Sequence, residues 1–133
     1  MRKLILAAAA LAALAGPAAL QARERLTGEE KLAKLLEGRV AEKPVSCLPL
    51  MTTNDSQVID KTAIVYGRGN VIYVNRPRDA RDLNDDDVMV TTLHSSQLCR
   101  LDVVRMHDRS SHFFTGFVGL EDFVPYRRVA AIN

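Results

Sequence analysis

The chain has 133 residues, of which 47% are hydrophobic and 26% are charged. Eighteen basic and sixteen acidic residues give a formal net charge of +2 at pH 7, too small to favour nucleic acid as a partner. The length suits one domain with a modest core, and no internal repeat or low-complexity linker divides it.

The N-terminus has the three-part layout of a secretory signal peptide. A positive start at Arg2 and Lys3 precedes an apolar run from Leu4 to Ala15, and small residues close the segment. The run is shorter than the roughly 20 residues of a membrane-spanning helix. We predict a signal peptide over 1–22, cleaved after Ala22, rather than an uncleaved anchor or a buried helix.

The predicted mature chain, residues 23–133, is one small domain that is periplasmic or secreted, without stable membrane insertion. All sixteen acidic residues and sixteen of the basic residues lie in it, because Arg2 and Lys3 leave with the signal peptide. Its formal charge is therefore zero. Binding to nucleic acid or another polyanion then loses its main support.

A short helix is predicted directly after the signal peptide. Thr27 and Glu30 have the spacing of a capping box, and Gly38 is a typical helix stop. Between them, apolar residues recur at helical spacing, at Leu32, Leu35 and Leu36. Because so short a helix is unstable alone, we expect it to dock on a sheet.

The sequence beyond residue 38 has the pattern of β structure. Runs rich in β-forming residues lie at 58–59, 63–66, 71–74, 88–91, 101–106 and 117–124. Gly67–Asn70 predicts a hairpin, and the two strands it joins are apolar on both faces, which indicates burial on both sides. The predicted fold is mainly β: a small antiparallel barrel or sandwich, with the helix covering an edge or an open end.

Cys47 and Cys99 are the only cysteines. Their spacing excludes a CxxC redox motif and a zinc knuckle. An even pair in an exported domain is most simply a structural disulfide, because the periplasm is oxidising. The alternative is two free buried thiols.

The run Asn84-Asp85-Asp86-Asp87 is the densest set of oxygen donors. Asp85, Asp86 and Asp87 are metal candidates, since adjacent acids can supply part of the oxygen shell of calcium. The spacing and the glycine of an EF-hand are absent, however, and nearby arginines can neutralise the acids. The simpler interpretation is a solvated turn before the strand at Val88, and we expect no cofactor.

The histidines and serines do not form a recognisable catalytic motif. His94, His107 and His112 lack the regular spacing of a metal site, and strand parity places His107 on the solvent side. Ser110, Ser111, Asp108 and His112 include the residue types of a nucleophilic triad, but no G-x-S-x-G motif exists. We predict a polar hairpin turn here and assign no catalytic residue.

Aromatic and basic residues cluster near the C-terminus. Such a strip could bind a glycan, a peptide or an anionic surface, and its binding candidates are His112, Phe113, Phe114, Arg127 and Arg128. The commoner interpretation is core filling by Phe117 and Phe123, with Phe113 and Phe114 at a hairpin tip. Exposed rings at 113 and 114 would favour binding.

Four separated segments, in the same order, resemble a family of small exported proteins of unknown function from Gram-negative bacteria. The segments are Gly38–Cys47, Tyr73–Pro77, Gln97–Val104 and Phe123–Tyr126. The resemblance covers nearly all of the mature chain and implies an exported, cysteine-bridged small domain. It implies no catalytic residue, and any further bridge found in relatives is absent here, because the chain has two cysteines.

Three hypotheses for function follow. The first is a non-enzymatic periplasmic domain that binds a partner, such as an envelope protein or a glycan, or has a structural role. The second is a metal-dependent or hydrolytic enzyme that uses Asp85–Asp87 or the histidines. The third is an inhibitor-like module that presents the loop Ser110–Phe114 to a partner protein.

Overall fold

Residues 25–130 are described by the structure, which is a computed structural model. The predicted signal peptide lies outside the described residues. Within them the chain forms helices α1 (Gly28–Leu36) and α2 (Leu50–Thr53), a 3-10 turn at Ala80–Asp82, and ten strands. The strands are β1 (Arg39–Ala41), β2 (Cys47–Pro49), β3 (Ser56–Ile59), β4 (Ala63–Tyr66), β5 (Val71–Asn75), β6 (Asp87–Thr91), β7 (Gln97–Cys99), β8 (Val103–Asp108), β9 (Phe114–Gly119) and β10 (Phe123–Arg128).

Helix α1 begins with a complete capping box. The Glu30 amide donates to the Thr27 hydroxyl at 3.3 Å, and the Thr27 amide donates to the Glu30 carboxylate at 2.7 Å. Both groups would otherwise lack a partner at the start of the helix. Gly38 follows the helix with a φ of +69°, a conformation that glycine adopts without strain. The helix therefore has defined ends and presents Leu32 to the sheet beside it.

The strands form three antiparallel sheets. A five-stranded sheet has the order β1-β10-β5-β4-β3, a three-stranded sheet has the order β6-β8-β9, and β2 pairs with β7. The predicted hairpin between β4 and β5 is confirmed, with Tyr66 opposite Tyr73. Gly67 and Gly69 in its loop have φ values of +80° and +83°. The glycines thus permit the loop that sets this register.

Strand β4 is buried on both faces, as the sequence predicts. Ile64 and Tyr66 join a core that the five-stranded sheet shares with the three-stranded sheet and with β2 and β7. Ala63 and Val65 point the other way, into a second core that includes Leu32 of α1. The layers are therefore α1, the five-stranded sheet and the three-stranded sheet.

The predicted class, mainly β with antiparallel sheets, is confirmed. Of the two architectures predicted, a barrel or a sandwich, the described residues form no closed barrel. The five-stranded sheet ends at β1 and β3, which do not pair with each other. A closed barrel would bury one face of each strand, whereas β4 needs cover on both faces. The run 117–124 contains the end of β9 and the start of β10, because the chain turns at 120–122.

The predicted disulfide between Cys47 and Cys99 is present. The two cysteines lie directly opposite each other on β2 and β7. The next cross-strand pair is Leu48 and Leu98, and both leucines are buried in the core. The disulfide and this buried pair therefore join the same two strands. Among the described residues, no helix is long and apolar enough to cross a membrane.

One buried polar side chain fixes the turn before β10. Asn75 is fully buried; its amide group donates to the Glu121 carbonyl at 2.6 Å and its carbonyl accepts from the Glu121 amide at 3.1 Å. Both hydrogen bonds satisfy backbone groups of a segment that has no strand partner at that point. The side chain therefore replaces a missing strand pairing.

Removing the disulfide should lower the free energy of unfolding by about 4 kcal/mol on the chain-entropy model. The loop closed by the bridge spans 52 residues, so its loss frees a long segment of the unfolded chain. Urea unfolding of the Cys47→Ala, Cys99→Ala double variant measures the loss. An unchanged midpoint would contradict a stabilising role.

Asn75→Ala should lower the free energy of unfolding by about 1–3 kcal/mol, because the backbone groups of Glu121 lose their partners. Asn54→Ala is the matched control, since Asn54 is exposed and its side chain makes no hydrogen bond within the described residues. Urea unfolding compares the two. Equal stability of both variants would show that Asn75 does not fix the turn.

Candidate functional site

The three-stranded sheet has one buried face and one exposed face. On β8, Val104 and Met106 are fully buried, and Val103, Arg105 and His107 point outward, as strand parity predicts. We call the outward side chains of β6, β8 and β9 the outer face. It consists of Val88, Val90, Val103, Arg105, His107, Phe114 and Phe117.

The outer face is organised in two cross-strand rows. Val90, Arg105 and Phe117 lie side by side, and Val88, His107 and Phe114 form the next row. Phe114 and Phe117 expose 57% and 51% of their surface. Neighbouring positions in a sheet touch each other. The exposed valines of β6 and the exposed phenylalanines of β9 therefore form two apolar strips, with Arg105 and His107 of β8 between them.

The prediction that Phe117 fills the core is wrong, whereas the same prediction for Phe123 is confirmed. Phe123 is fully buried, and its ring meets Tyr66 edge-on at 5.7 Å between centroids. On β9 the inward positions belong to Gly116 and Val118. A Cβ at Gly116 would come within 3.3 Å of the Asp82 side chain, so the 3-10 turn leaves no room for a large residue there. Phe117, one position on, therefore points outward.

The turn between β8 and β9 carries the predicted polar hairpin. The Asp108 carboxylate accepts from the Ser110 amide at 3.0 Å, the Ser111 amide at 2.7 Å and the Ser111 hydroxyl at 2.9 Å. These hydrogen bonds, led by those from Ser111, lower the pKa of Asp108 below its ordinary value. The Ser111 hydroxyl is thus bound to the aspartate, which argues against a nucleophile activated by His112.

The aromatic residues of this hairpin extend the outer face. Phe113 is 76% exposed at the tip, next to His112, which has a φ of +61°. The His107 ring packs edge-on against Phe114 at 5.9 Å between centroids. His107 Nδ1 lies 3.1 Å from the His112 carbonyl. Because a carbonyl only accepts, Nδ1 carries the proton and donates, and this bond holds the ring against Phe114.

Arg105 is the charged group at the centre of the outer face. Within the described residues its side chain makes neither an ion pair nor a hydrogen bond. No outward position of β6, β8 or β9 is acidic. The outer face therefore carries a cation at its centre that has no ion-pair partner among the described residues.

The three acidic metal candidates line one cavity of about 540 Å³, together with Arg109, but their side chains have different partners. Asp85 pairs with Lys31 of α1 at 3.4 Å, and Asp86 is exposed. Asp87 is buried; its carboxylate accepts from the Thr115 hydroxyl and, at 3.4 Å, from the Asn84 side chain. In the described part of the chain, no group of three or more His, Cys, Asp or Glu side chains could hold a metal ion.

The predicted binding candidates fall on two different sheets. His112, Phe113 and Phe114 lie at the end of the three-stranded sheet, whereas Arg127 and Arg128 lie on β10 of the five-stranded sheet. Arg127 forms an ion pair with Glu42. The structure therefore does not assemble the aromatic and basic residues into one strip.

Sequence reasoning missed Val88, Val90, Val103 and Arg105 as surface residues of a possible site. A signal was present, since the runs 88–90 and 103–106 have apolar residues at both odd and even positions. A strand on the outside of a fold needs only one apolar face. Apolar residues on the second face of these two strands therefore indicate an exposed surface with apolar side chains.

The comparisons with known proteins give no relative to guide the assignment. A scan against protein-family models, a search of curated proteins and a search of solved structures each found no match. The function is therefore argued from the geometry of the outer face.

The hairpin that presents Phe113 should stay ordered at pH values below the ordinary pKa of aspartate. The folded-state pKa of Asp108 is lowered, so its contribution to the turn is present above the unfolded pKa and is lost as pH falls through the folded pKa. NMR shifts of the Ser110 and Ser111 amides during an acid titration measure this. Asp108→Ala should abolish the titration, and a midpoint at or above the ordinary value would contradict the assignment.

Proposed function

We propose that the protein is an exported, non-enzymatic binding domain that docks a partner protein of the cell envelope on the outer face. The predicted signal peptide and the resemblance to small exported proteins support the compartment. The Cys47–Cys99 disulfide fits an oxidising compartment. The proposal for binding depends on the outer face alone.

The observation that supports this proposal best is the exposed apolar surface around Phe114 and Phe117. The two phenylalanines on β9 are more than half exposed, and Val88 and Val90 on β6, beyond His107 and Arg105, add to the apolar area in water. Large exposed apolar areas are uncommon on isolated domains and mark interaction sites. Aromatic residues near the centre of a patch are also the usual anchors of protein interfaces.

Arg105 defines the chemistry of the partner. It stands between Val90 and Phe117, with no acidic residue at the outward positions around it. An apolar partner surface without a counter-charge would bury the guanidinium unpaired, which is costly. The matching surface is therefore an apolar one that carries a carboxylate opposite Arg105.

Site-specific photo-cross-linking in cells that produce the full chain tests this proposal. A benzophenone amino acid in place of Phe117 or Val90 should give a discrete adduct with another protein. The control position is Ala33, which is exposed on α1, in the layer farthest from the outer face. Adducts equal to those at Ala33, or an adduct of two copies of this chain, would overturn the proposal.

Arg105→Glu, combined with the cross-linker at 117, should abolish that adduct, because the substitution places a like charge opposite the partner carboxylate. Arg81→Glu is the matched control, since Arg81 is exposed on the 3-10 turn and lies outside the outer face. An adduct that survives Arg105→Glu would contradict the assigned partner chemistry.

Phe117→Ser should lower the free energy of unfolding by no more than about 1 kcal/mol, because half of the side chain is already exposed. Phe123→Ala, in the core, should cost about 3–5 kcal/mol. Urea unfolding of the two variants separates a binding role of Phe117 from a structural one. A loss for Phe117→Ser close to that for Phe123→Ala would show that the outer face stabilises the fold.

A further inference from the structure

A second surface feature lies on the side of the five-stranded sheet that α1 covers. A cavity of about 600 Å³ opens between the C-terminal end of α1, the β4–β5 loop and the paired ends of β1 and β10. Its lining includes four cations and two acids: Lys34, Arg39, Arg68, Arg128, Glu37 and Asp55. The cavity therefore has an excess of positive charge in a domain whose predicted mature form has none overall.

Two of the cations are held next to each other. Arg39 on β1 and Arg128 on β10 are directly opposite in the strand register. Like charges at such positions destabilise a sheet. Burial first, and then the charge of Arg128, lower the pKa of Arg39. The fold thus contains a repulsive pair where neutral residues would be more stable.

Arg39 cannot move away from its neighbour. Its guanidinium donates to the carbonyls of Gly69 at 2.8 Å, Asn70 at 3.1 Å and Tyr126 at 3.3 Å. A guanidinium has five N–H donors, so two remain for another acceptor. The three hydrogen bonds hold the guanidinium in place and leave two of its N–H donors free for another acceptor.

The other lining cations differ in their availability. Arg68 is paired with Asp55 at 3.2 Å. Lys34 and Arg128 are exposed, and within the described residues their side chains make no hydrogen bond or ion pair. Glu37 likewise has no side-chain partner there, so it reduces the excess charge but does not neutralise either cation by contact. Two cations without a bonded partner therefore line the same cavity as the hydrogen-bonded guanidinium of Arg39.

We propose that Arg39, Arg128 and Lys34 form a binding site for a phosphate group. An anion between Arg39 and Arg128 would convert their repulsion into two attractive contacts. It would accept charge-assisted hydrogen bonds from the remaining donors of Arg39 and from Arg128. Lys34 at the rim supplies a third, adjustable charge. The same chemistry fits inorganic phosphate and the headgroup of an anionic lipid.

Titration of the purified full chain with inorganic phosphate, at constant ionic strength and followed by NMR, tests the site. Saturable shifts are expected at Arg39, Gly69 and Arg128. Arg128→Gln should weaken binding roughly tenfold or more, because one charge-assisted contact is lost. Lys34→Gln should weaken it less. Absence of saturable binding would overturn the proposal.

Arg81→Gln is the matched control for net charge, because Arg81 is exposed and lies outside the cavity. It should leave phosphate binding unchanged. Equal weakening by Arg81→Gln and Arg128→Gln would mean that phosphate responds to overall charge, and would overturn the site. Phosphate should also raise the Tm of the unaltered chain but not that of Arg128→Gln.

Vesicles distinguish the two sources of the phosphate group. Co-sedimentation with phosphatidylglycerol vesicles, but not with phosphatidylcholine vesicles, and its loss in Arg128→Gln would identify a lipid headgroup. Phosphate binding without co-sedimentation would identify a free phosphate or a phosphorylated small molecule. The test is independent of the outer face, because Arg105→Glu should bind phosphate like the unaltered chain.

Discussion

The structure depends on burial of strand β4 from both sides. Its four residues, Ala63–Tyr66, are all buried, and alternate side chains enter two separate cores. One core needs α1 as its cover and the other needs the three-stranded sheet. Both apolar faces of β4 are buried only because a layer packs on each side of its sheet. This requirement orders the layers and excludes the barrel.

The layer order determines which apolar surface remains in water. Helix α1 covers the five-stranded sheet, and the three-stranded sheet covers the opposite side, but within residues 25–130 nothing packs on the far face of that second sheet. Phe114 and Phe117 lie there because β9 turns its small inward residue, Gly116, towards Asp82. The orientation of the outer face thus follows from packing within the core. Its exposed apolar side chains are what the proposed binding role accounts for.

Local sequence signals were sufficient where neighbours in the chain make the contact. The glycines of the β4–β5 loop predicted a hairpin in this way. The bridge between Cys47 and Cys99, 52 residues apart, could be predicted for a different reason, because the sequence has no other cysteine. The orientation of Phe117 could not be predicted from the sequence, because it depends on a contact between Gly116 and Asp82, which are far apart in the chain. The same holds for Arg39 and Arg128, which meet only through the β1–β10 pairing. Hydrophobic pattern gives the period of a strand but not its partner.

The two proposed sites lie in different layers and share no residue. The outer face belongs to the three-stranded sheet, whereas the basic cavity is lined from α1, β1, β10 and the β4–β5 loop. Occupancy of one therefore blocks no group of the other, and a domain of this size could hold a protein and a phosphate group together. Because β10 carries both Arg128 and the core residue Phe123, the cavity is built on the strand that anchors the shared core. A phosphate bound there would contact a strand whose other end is buried in the shared core, which favours a fixed orientation of the outer face relative to a phosphate-bearing surface.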